Sequence, residues 1–175
     1  MRLITRDHRA ADGTYSTATF SICGTYRYAL TRVWSAKPAL AYIMLNPSKA
    51  DETSNDPTIA RCEKRARQLG FGGITIANLF AFCATDPTDL KAADAPVGPA
   101  NRDHVIAMAG KAGMVLAAWG VHGAHRNQDQ VVQGWLESHD LFVLGLTKEG
   151  LPRHPLYVSY AARPKPWQAN TDVAR

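Results

Sequence analysis

The sequence predicts an α/β fold, a three-layer α/β/α arrangement around a short central parallel sheet of about four strands, with an N-terminal antiparallel β extension. From residue 39 onward, short apolar segments alternate with amphipathic helical segments. This alternation is typical of βαβ units and hence of a parallel sheet covered on both faces. Before residue 39, consecutive stretches rich in Thr, Tyr, Phe, Ile and Val indicate antiparallel strands.

The chain is predicted to form one domain. Its 175 residues, 46% of them hydrophobic, are enough to bury a core of ordinary size. We divide it into the β extension (residues 1–38), the α/β core (39–160) and a tail (161–175). Pro164 and Pro166 favour an extended course of this tail over the surface.

Three strands are predicted before residue 46. Residues 17–23 and 25–34 are the strands of the extension, and Gly24 lies between them. Residues 39–45 are the first core strand. It stops at the elbow Asn46-Pro47-Ser48, because asparagine and proline both favour turns.

A helix is predicted to begin at Asp56-Pro57 and to end at Gly70. Aspartate caps a helix N-terminus and proline fits the first helical position, while glycine commonly ends a helix. The basic residues of this helix predict a solvated face rather than a phosphate-binding track; they are Arg61, Lys64, Arg65 and Arg67.

Strands and helices alternate in the rest of the core. In chain order we predict strand 73–78, helix 101–111, strand 114–119, helix 128–138 and strand 141–146. The loop from Phe80 to Pro99 is longer than packing requires, which is common for functional loops.

Composition limits the classes of function. The formal net charge of +5 and the pI near 9.3 are compatible with a polyanionic partner. No apolar run approaches the roughly 18 residues of a membrane span, and the first ten residues have no signal-peptide core. Three widely spaced cysteines favour a reducing compartment over a disulfide framework or a zinc site. We therefore expect a cytoplasmic monomer without membrane association.

Polar residues follow all four predicted core strands. They are Asn46-Pro47-Ser48, Asn78, Trp119-Gly120 with His122, and Arg153-His154-Pro155. Ligands of parallel α/β sheets bind beyond the carboxyl ends of the strands, so we expect the site at this edge. His122 and His125 lie near it, but no third ligand follows at a suitable spacing, and we predict no metal site.

In this order, the four motifs resemble those of the uracil-DNA glycosylase superfamily. LNPS (45–48) is similar to its Asn-Pro elbow and ITIAN (74–78) to the strand that ends in a base-reading asparagine. VLAAWG (115–120) is similar to its apolar strand before Trp-Gly, and RHPLY (153–157) to its His-Pro-Ser loop. The resemblance covers residue 39 to about residue 160, and overall the chain most resembles a bacterial and phage group of unknown function.

Two departures from the superfamily pattern concern the last motif and the cysteines. Leu156 follows His-Pro where the superfamily has serine. The superfamily's iron–sulfur branch uses four cysteines, which three widely spaced ones cannot reproduce, so the resemblance implies no cofactor.

The resemblance implies cleavage or recognition of the N-glycosidic bond of a nucleobase, in DNA rather than RNA. His154 would donate a hydrogen bond to the leaving base, and Asn78 would bind the base edge with its amide. Asn46 would orient the attacking water. We therefore expect Asn46, Asn78 and His154 to converge on one cavity.

Asparagine is a poor general base, so a carboxylate must assist it in a fast hydrolase. The candidates are Asp51, which we consider first, Glu52 and Asp56. No motif identifies the aromatic residue that stacks on the base. Phe80, Phe82 and Tyr42 are candidates, and Trp119 is expected in the core or the pocket wall.

Six further residues are predicted to contact nucleic acid. Lys49, Arg126, Lys148 and Arg153 would hold phosphates, and Leu156 or Tyr157 would fill the gap left by an extruded base. Two alternatives stay open. One is a catalytically silent module that binds nucleic acid or a nucleotide, and the other is an enzyme of free nucleosides or nucleotides.

Overall fold

A mixed eight-stranded sheet forms the centre of the structure, a computed structural model that describes residues 2–168. The strands are β1 (Leu3–Arg9), β2 (Tyr15–Ser21), β3 (Arg27–Val33), β4 (Ala39–Met44), β5 (Gly73–Asn78), β6 (Met114–Ala117), β7 (Leu141–Val143) and β8 (Lys165–Trp167). Their order in the sheet is β1-β2-β3-β5-β4-β6-β7-β8. The four central strands β5, β4, β6 and β7 are parallel, which confirms the predicted α/β class and parallel sheet.

Helices cover both faces of the sheet. They are α1 (Pro57–Gln68), α2 (Pro87–Ala92), α3 (Asn101–Ala109) and α4 (Gln128–Trp135), with 3-10 segments at Val121–Asn127 and Pro155–Tyr157. One apolar core contains Ile59, Cys62 and Ala66 of α1, and the other contains residues of α2, α3 and α4. The helices therefore form two outer layers around the sheet.

The N-terminal extension joins this sheet directly. Strands β1, β2 and β3 are antiparallel, and β3 pairs with β5, with Leu30 opposite Ile76. The sequence did not predict β1, because most of its residues are polar and exposed and show no apolar alternation.

Four segments differ from the sequence prediction. Strands β6 and β7 are shorter than predicted, ending at Ala117 and Val143. Helix α2 lies within the predicted loop 80–99, where Asp86-Pro87 provides a second aspartate cap. Residues 165–167 of the predicted extended tail pair with β7 as an edge strand, and residues 169–175 of that tail lie outside the described residues.

The predicted solvated face of α1 is wrong for two of its arginines. Arg65 is buried, and its guanidinium donates to the carbonyl oxygens of Val158, Ser159 and Ala162. Arg61 donates to the carbonyl oxygens of Pro155 and Val158. These side chains hold residues 155–162 against α1. Between residues 2 and 168, no helix has the length and apolar character needed to cross a membrane.

Candidate functional site

A cavity of about 770 Å³ opens beyond the carboxyl ends of β4 and β6. Its volume lies within the range of roughly 300–1,000 Å³ found for small-molecule sites. Its lining includes the polar or charged side chains of Arg27, Asn46, Lys49, Asp56, Arg153 and His154. The cavity lies at the edge of the sheet where the sequence predicted the site.

Asn46 lines the cavity with an amide whose orientation is fixed. Its Nδ2 donates to the carbonyl oxygens of Pro47 at 3.0 Å and Ala84 at 2.8 Å. Because these partners are acceptors, the nitrogen must face them, and the network assigns the amide orientation. Oδ1 accepts no hydrogen bond within residues 2–168, so it is the part of the amide available to a ligand or water.

His154 lines the same cavity as a neutral imidazole. Its Nδ1 accepts a hydrogen bond from the backbone N–H of Leu156 at 3.3 Å, which leaves the proton of the neutral ring on Nε2. Burial lowers the pKa of His154, and the nearby carboxylate of Asp56 only partly opposes this effect. At neutral pH the ring is therefore a hydrogen-bond donor through Nε2.

The segment that carries His154 is held from two sides. The backbone N–H of Gly120 donates to the carbonyl oxygen of Pro152 at 2.8 Å, joining the exit of β6 to the loop before His154. Arg61 binds the carbonyl oxygen of Pro155 at 3.1 Å on the other side. The ring is thus presented by a fixed backbone, which a catalytic hydrogen bond requires.

Asp56 is the carboxylate of the cavity wall. It caps α1, since its Oδ1 accepts from the backbone N–H of Ile59 at 2.8 Å. The charge of Asp56 acts on both His154 and Arg27, raising the pKa of each against the effect of burial. Of the three carboxylates considered from the sequence, Asp56 alone lines this cavity.

Asp51 and Glu52 are directed elsewhere. Oδ1 of Asp51 accepts hydrogen bonds from the backbone and hydroxyl groups of Thr53 and Ser54. Burial would raise the pKa of Asp51, but these hydrogen bonds outweigh it and lower the pKa to about 2. Glu52 lines a separate cleft of about 360 Å³ beside β1 and β2. The structure thus does not bring Asp51, our first candidate, to the cavity.

The structure brings Asn46 and His154 together but not Asn78. Asn78 is 2% exposed and does not line the cavity, and its carbonyl oxygen accepts from Nδ2 of Asn101 at 2.9 Å. Its Oδ1 is buried without a partner among residues 2–168. The expected convergence of three residues is therefore met by two.

Two of the proposed base-binding aromatic residues are core residues. Tyr42 is fully buried, and its hydroxyl donates to the carbonyl oxygen of Cys62 at 3.2 Å. Phe80 is also fully buried, and its ring centroid lies 5.7 Å from that of His125. Neither ring is open to a base stacked in the cavity.

Trp119 is buried and lines the cavity, which fits either expectation for it, core or pocket wall. Its ring meets Trp167 of β8 edge to face, with centroids 5.7 Å apart. The Nε1 hydrogen of Trp119 has no acceptor within residues 2–168.

Four of the six predicted nucleic-acid contacts line the cavity; they are Lys49, Arg153, Leu156 and Tyr157. Lys49, Arg153 and Tyr157 are exposed, Tyr157 with 73% of its surface accessible. Lys148 is exposed but outside the lining. Arg126 donates to the carbonyl oxygens of Ala93 and Asp94, so its guanidinium fastens the loop after α2.

Arg27, at the start of β3, is a cavity residue that sequence reasoning missed. It is 2% exposed and lines the cavity wall. Burial lowers its pKa to about 10, and Cys83 and Asp56 oppose that shift. An arginine in an antiparallel strand ordinarily faces solvent, and no sequence signal distinguished this one.

Within residues 2–168, no group of three or more His, Cys, Asp or Glu side chains is arranged to hold a metal ion.

Comparison with protein families finds a match over most of the chain. The family model described as "Protein of unknown function (DUF1643)" matches residues 27–156. This range contains the cavity residues from Arg27 to Leu156, and it agrees with the predicted likeness to a group of unknown function. No curated protein and no solved structure matches the chain.

Proposed function

The chain belongs to the DUF1643 family, and we propose that it hydrolyses the N-glycosidic bond of a nucleobase. Because the family description names no activity, we infer this function from the cavity of the chain itself. The observation that carries this proposal is that Asn46, Asp56 and His154 line one cavity. Together they offer a fixed amide oxygen, a carboxylate and a neutral imidazole donor. Hydrolysis of this bond needs one group that stabilises negative charge on the leaving base, and other groups that orient and deprotonate the attacking water.

His154 serves the leaving base. As the bond between the sugar and the base nitrogen breaks, its electron pair moves into the base, and negative charge develops on a base oxygen. The Nε2–H of a neutral His154 stabilises that charge by a hydrogen bond, because a donor fixed in advance costs no reorganisation during the reaction. The lowered pKa of His154 keeps the ring in this form.

Asn46 and Asp56 act on the attacking water. The free Oδ1 of Asn46 accepts a hydrogen bond from the water and orients it toward the anomeric carbon. Asp56 accepts the proton as the new carbon–oxygen bond forms, which supplies the base that asparagine lacks. Asp56 then returns its proton to water, from which the departing base takes up a proton, and the products are the free base and a sugar with an anomeric hydroxyl.

The cavity is also suited to a phosphorylated substrate. Lys49 and Arg153 are exposed at its wall, and with Arg27 they outnumber the single carboxylate Asp56. The phosphates of DNA with an extruded base, the substrate expected from the sequence, would complement this positive charge, and so would the phosphate of a free nucleotide.

Substitution Asp56→Asn tests the proposal. Asparagine caps helices as well as aspartate does, so the cap of α1 remains while the carboxylate is lost. We expect release of the free base, measured by chromatography, to fall by about 10²–10⁴-fold with little change in unfolding temperature. The substrates are single-stranded and duplex DNA carrying uracil or hypoxanthine, and nucleosides and 5′-mononucleotides with the same bases.

Asp86→Asn is the matched control, because Asp86 caps α2 in the same way and does not line the cavity. It should leave base release unchanged. No release from any substrate by the unmodified protein, or full release by Asp56→Asn, would overturn the hydrolase. Binding without release would indicate the silent binding module instead.

A further inference from the structure

Arg27 is a buried cation with few partners in the part of the chain that the structure describes. Its Nη1 donates to the carbonyl oxygen of Ala50, and this is the one side-chain hydrogen bond it makes within residues 2–168. Its Nε is buried without a partner there. Neither of the two ion pairs found among those residues includes it, since both belong to Arg67.

Two other buried arginines have more acceptors than Arg27, although the Nε of Arg65 is likewise buried without a partner within residues 2–168. Arg32 lies on the same strand, and it donates to the carbonyl oxygens of Thr31, Asp51 and Ser54 and to Oδ1 of Asn55. Arg65 donates to three carbonyl oxygens of residues 158–162. Arg27 differs from both in its single acceptor and in lining the cavity.

A buried guanidinium without partners is costly for a folded protein, since charge leaves water and receives little in exchange. An anion that enters the cavity would supply the missing acceptors, and a guanidinium binds phosphate oxygens in a fork geometry. The carboxylate of Asp56 acts on Arg27 without forming an ion pair with it.

Further side chains that can bind an anion line the cavity with Arg27. The loop whose Ala50 carbonyl it contacts also carries Ser48 and Lys49, and both line the cavity. The Ser48 hydroxyl lies 3.4 Å from that of Thr85, another lining residue. Two hydroxyl groups and an ammonium group thus line the same cavity as the guanidinium.

We propose that Arg27 binds the terminal phosphate of a free 5′-mononucleotide inside the cavity. This inference rests on the proposed function and names its substrate class. A terminal phosphate can follow the nucleoside into a cavity and reach a residue that is 2% exposed. A phosphodiester of DNA must instead stay where the chain can enter and leave, near exposed side chains such as Lys49 and Arg153.

Calorimetric binding tests the proposal. The probes are the common ribo- and deoxyribonucleoside 5′-monophosphates, the matching nucleosides, inorganic phosphate and a short single-stranded oligonucleotide. We expect at least one monophosphate to bind the unmodified protein at least tenfold more tightly than its nucleoside. Arg27→Met should abolish that difference, and Arg27→Lys should keep part of it because it retains the charge without the fork. Arg6→Met, which alters an exposed arginine of β1 outside the cavity, should keep all of it.

The unfolding temperature without ligand separates ligand binding from a structural role. Arg27→Met removes a poorly paired buried charge, so we expect it to be at least as stable as the unmodified protein. Arg32→Met, which removes an arginine with several protein acceptors, should instead lower the unfolding temperature. If Arg27→Met does not fold, the reduced preference of Arg27→Lys decides.

Each contrary outcome overturns the inference. One is equal affinity of the unmodified protein for monophosphates and nucleosides. Another is a preference for monophosphates over nucleosides that Arg27→Met keeps. The third is binding of inorganic phosphate or of the oligonucleotide as tightly as that of the best mononucleotide. Base release from DNA without a monophosphate preference would overturn this inference and keep the hydrolase. A monophosphate preference without base release would keep this inference and overturn the hydrolase.

Discussion

Nδ2 of Asn46 donates a hydrogen bond to the carbonyl oxygen of Ala84 at 2.8 Å, and this contact joins the elbow after β4 to the loop after β5. The backbone N–H of Ala84 returns a hydrogen bond to the carbonyl oxygen of Pro47 at 3.0 Å. Asn46 therefore stabilises the cavity wall with its nitrogen, while its oxygen accepts no hydrogen bond from residues 2–168. These two tasks suit an amide and not a carboxylate.

Substitution Asn46→Asp should destabilise the protein by about 1–3 kcal/mol at neutral pH, because an ionised carboxylate cannot donate to the two carbonyl oxygens it would face. The free energy of unfolding in urea measures the effect. Asn46→Ala, which leaves the carbonyls unpaired without adding a charge, should cost less. A stable Asn46→Asp protein would contradict the structural task of the amide.

The pKa of His154 predicts a loss of stability in acid. Burial lowers this pKa in the folded protein below the ordinary value of about 6.5. The unfolded chain then binds the proton more readily, so the contribution of His154 is fully present above that ordinary value. It is lost as the pH falls toward the lowered pKa. Urea unfolding between pH 4.5 and 7.5 measures it.

The control for this prediction is His154→Asn. Asparagine does not titrate and can accept the hydrogen bond from Leu156 as a cap. The loss of stability in acid should therefore be smaller in this variant, with the remainder due to other groups such as His104, whose pKa burial also lowers. An unchanged pH dependence would show that His154 is not held neutral by the fold.

Arg65→Met should lower the free energy of unfolding by about 1–3 kcal/mol, because it leaves three carbonyl oxygens of residues 158–162 without their hydrogen-bond donor. Lys64→Met is the neighbouring control. Lys64 is exposed and lies 4.9 Å from the ring centroid of Tyr160, so its replacement should cost no more than about 0.5–1 kcal/mol. Equal stability of the two variants would show that Arg65 does not hold this segment.

The parts of the fold that sequence could predict are those with strong local signals. The apolar, β-branched run of β5 has the bounds predicted for it, and the Asp-Pro pair marks the start of α1. Strand β1 lacks such a signal, since its polar residues take β structure only by pairing with β2. Its formation is a tertiary effect that local propensity does not contain.

The candidate site was predictable in position but not in full membership. Asn46 and His154, which were predicted from the carboxyl edge of the parallel strands, both line the cavity. Position at a strand end does not decide whether a side chain faces a cavity or the interior, and Asn78 lies in the interior beside Asn101. Arg27 comes from the antiparallel extension, so no rule about parallel strand ends could find it.

Gly123 allows Trp119 to lie where it lines the cavity. A Cβ at residue 123 would lie 2.1 Å from Cδ1 of Trp119, far inside the contact distance of two carbon atoms. Gly123→Ala must therefore displace the indole or its own backbone, at a cost of about 1–3 kcal/mol typical of overpacking. The displacement should also change the wavelength of the tryptophan emission maximum, because Trp119 is buried in the unmodified protein.

Gly134→Ala is the matched control for this change. Gly134 lies within α4, and no atom of the described part of the chain is within 4 Å of the Cβ that alanine would add. Alanine favours helices over glycine, so this variant should be more stable by about 0.5–1 kcal/mol with unchanged fluorescence. Urea unfolding followed by fluorescence measures both variants. Equal and small effects would contradict the close packing of Trp119 on Gly123, whereas opposite signs would establish it as a support of the cavity wall.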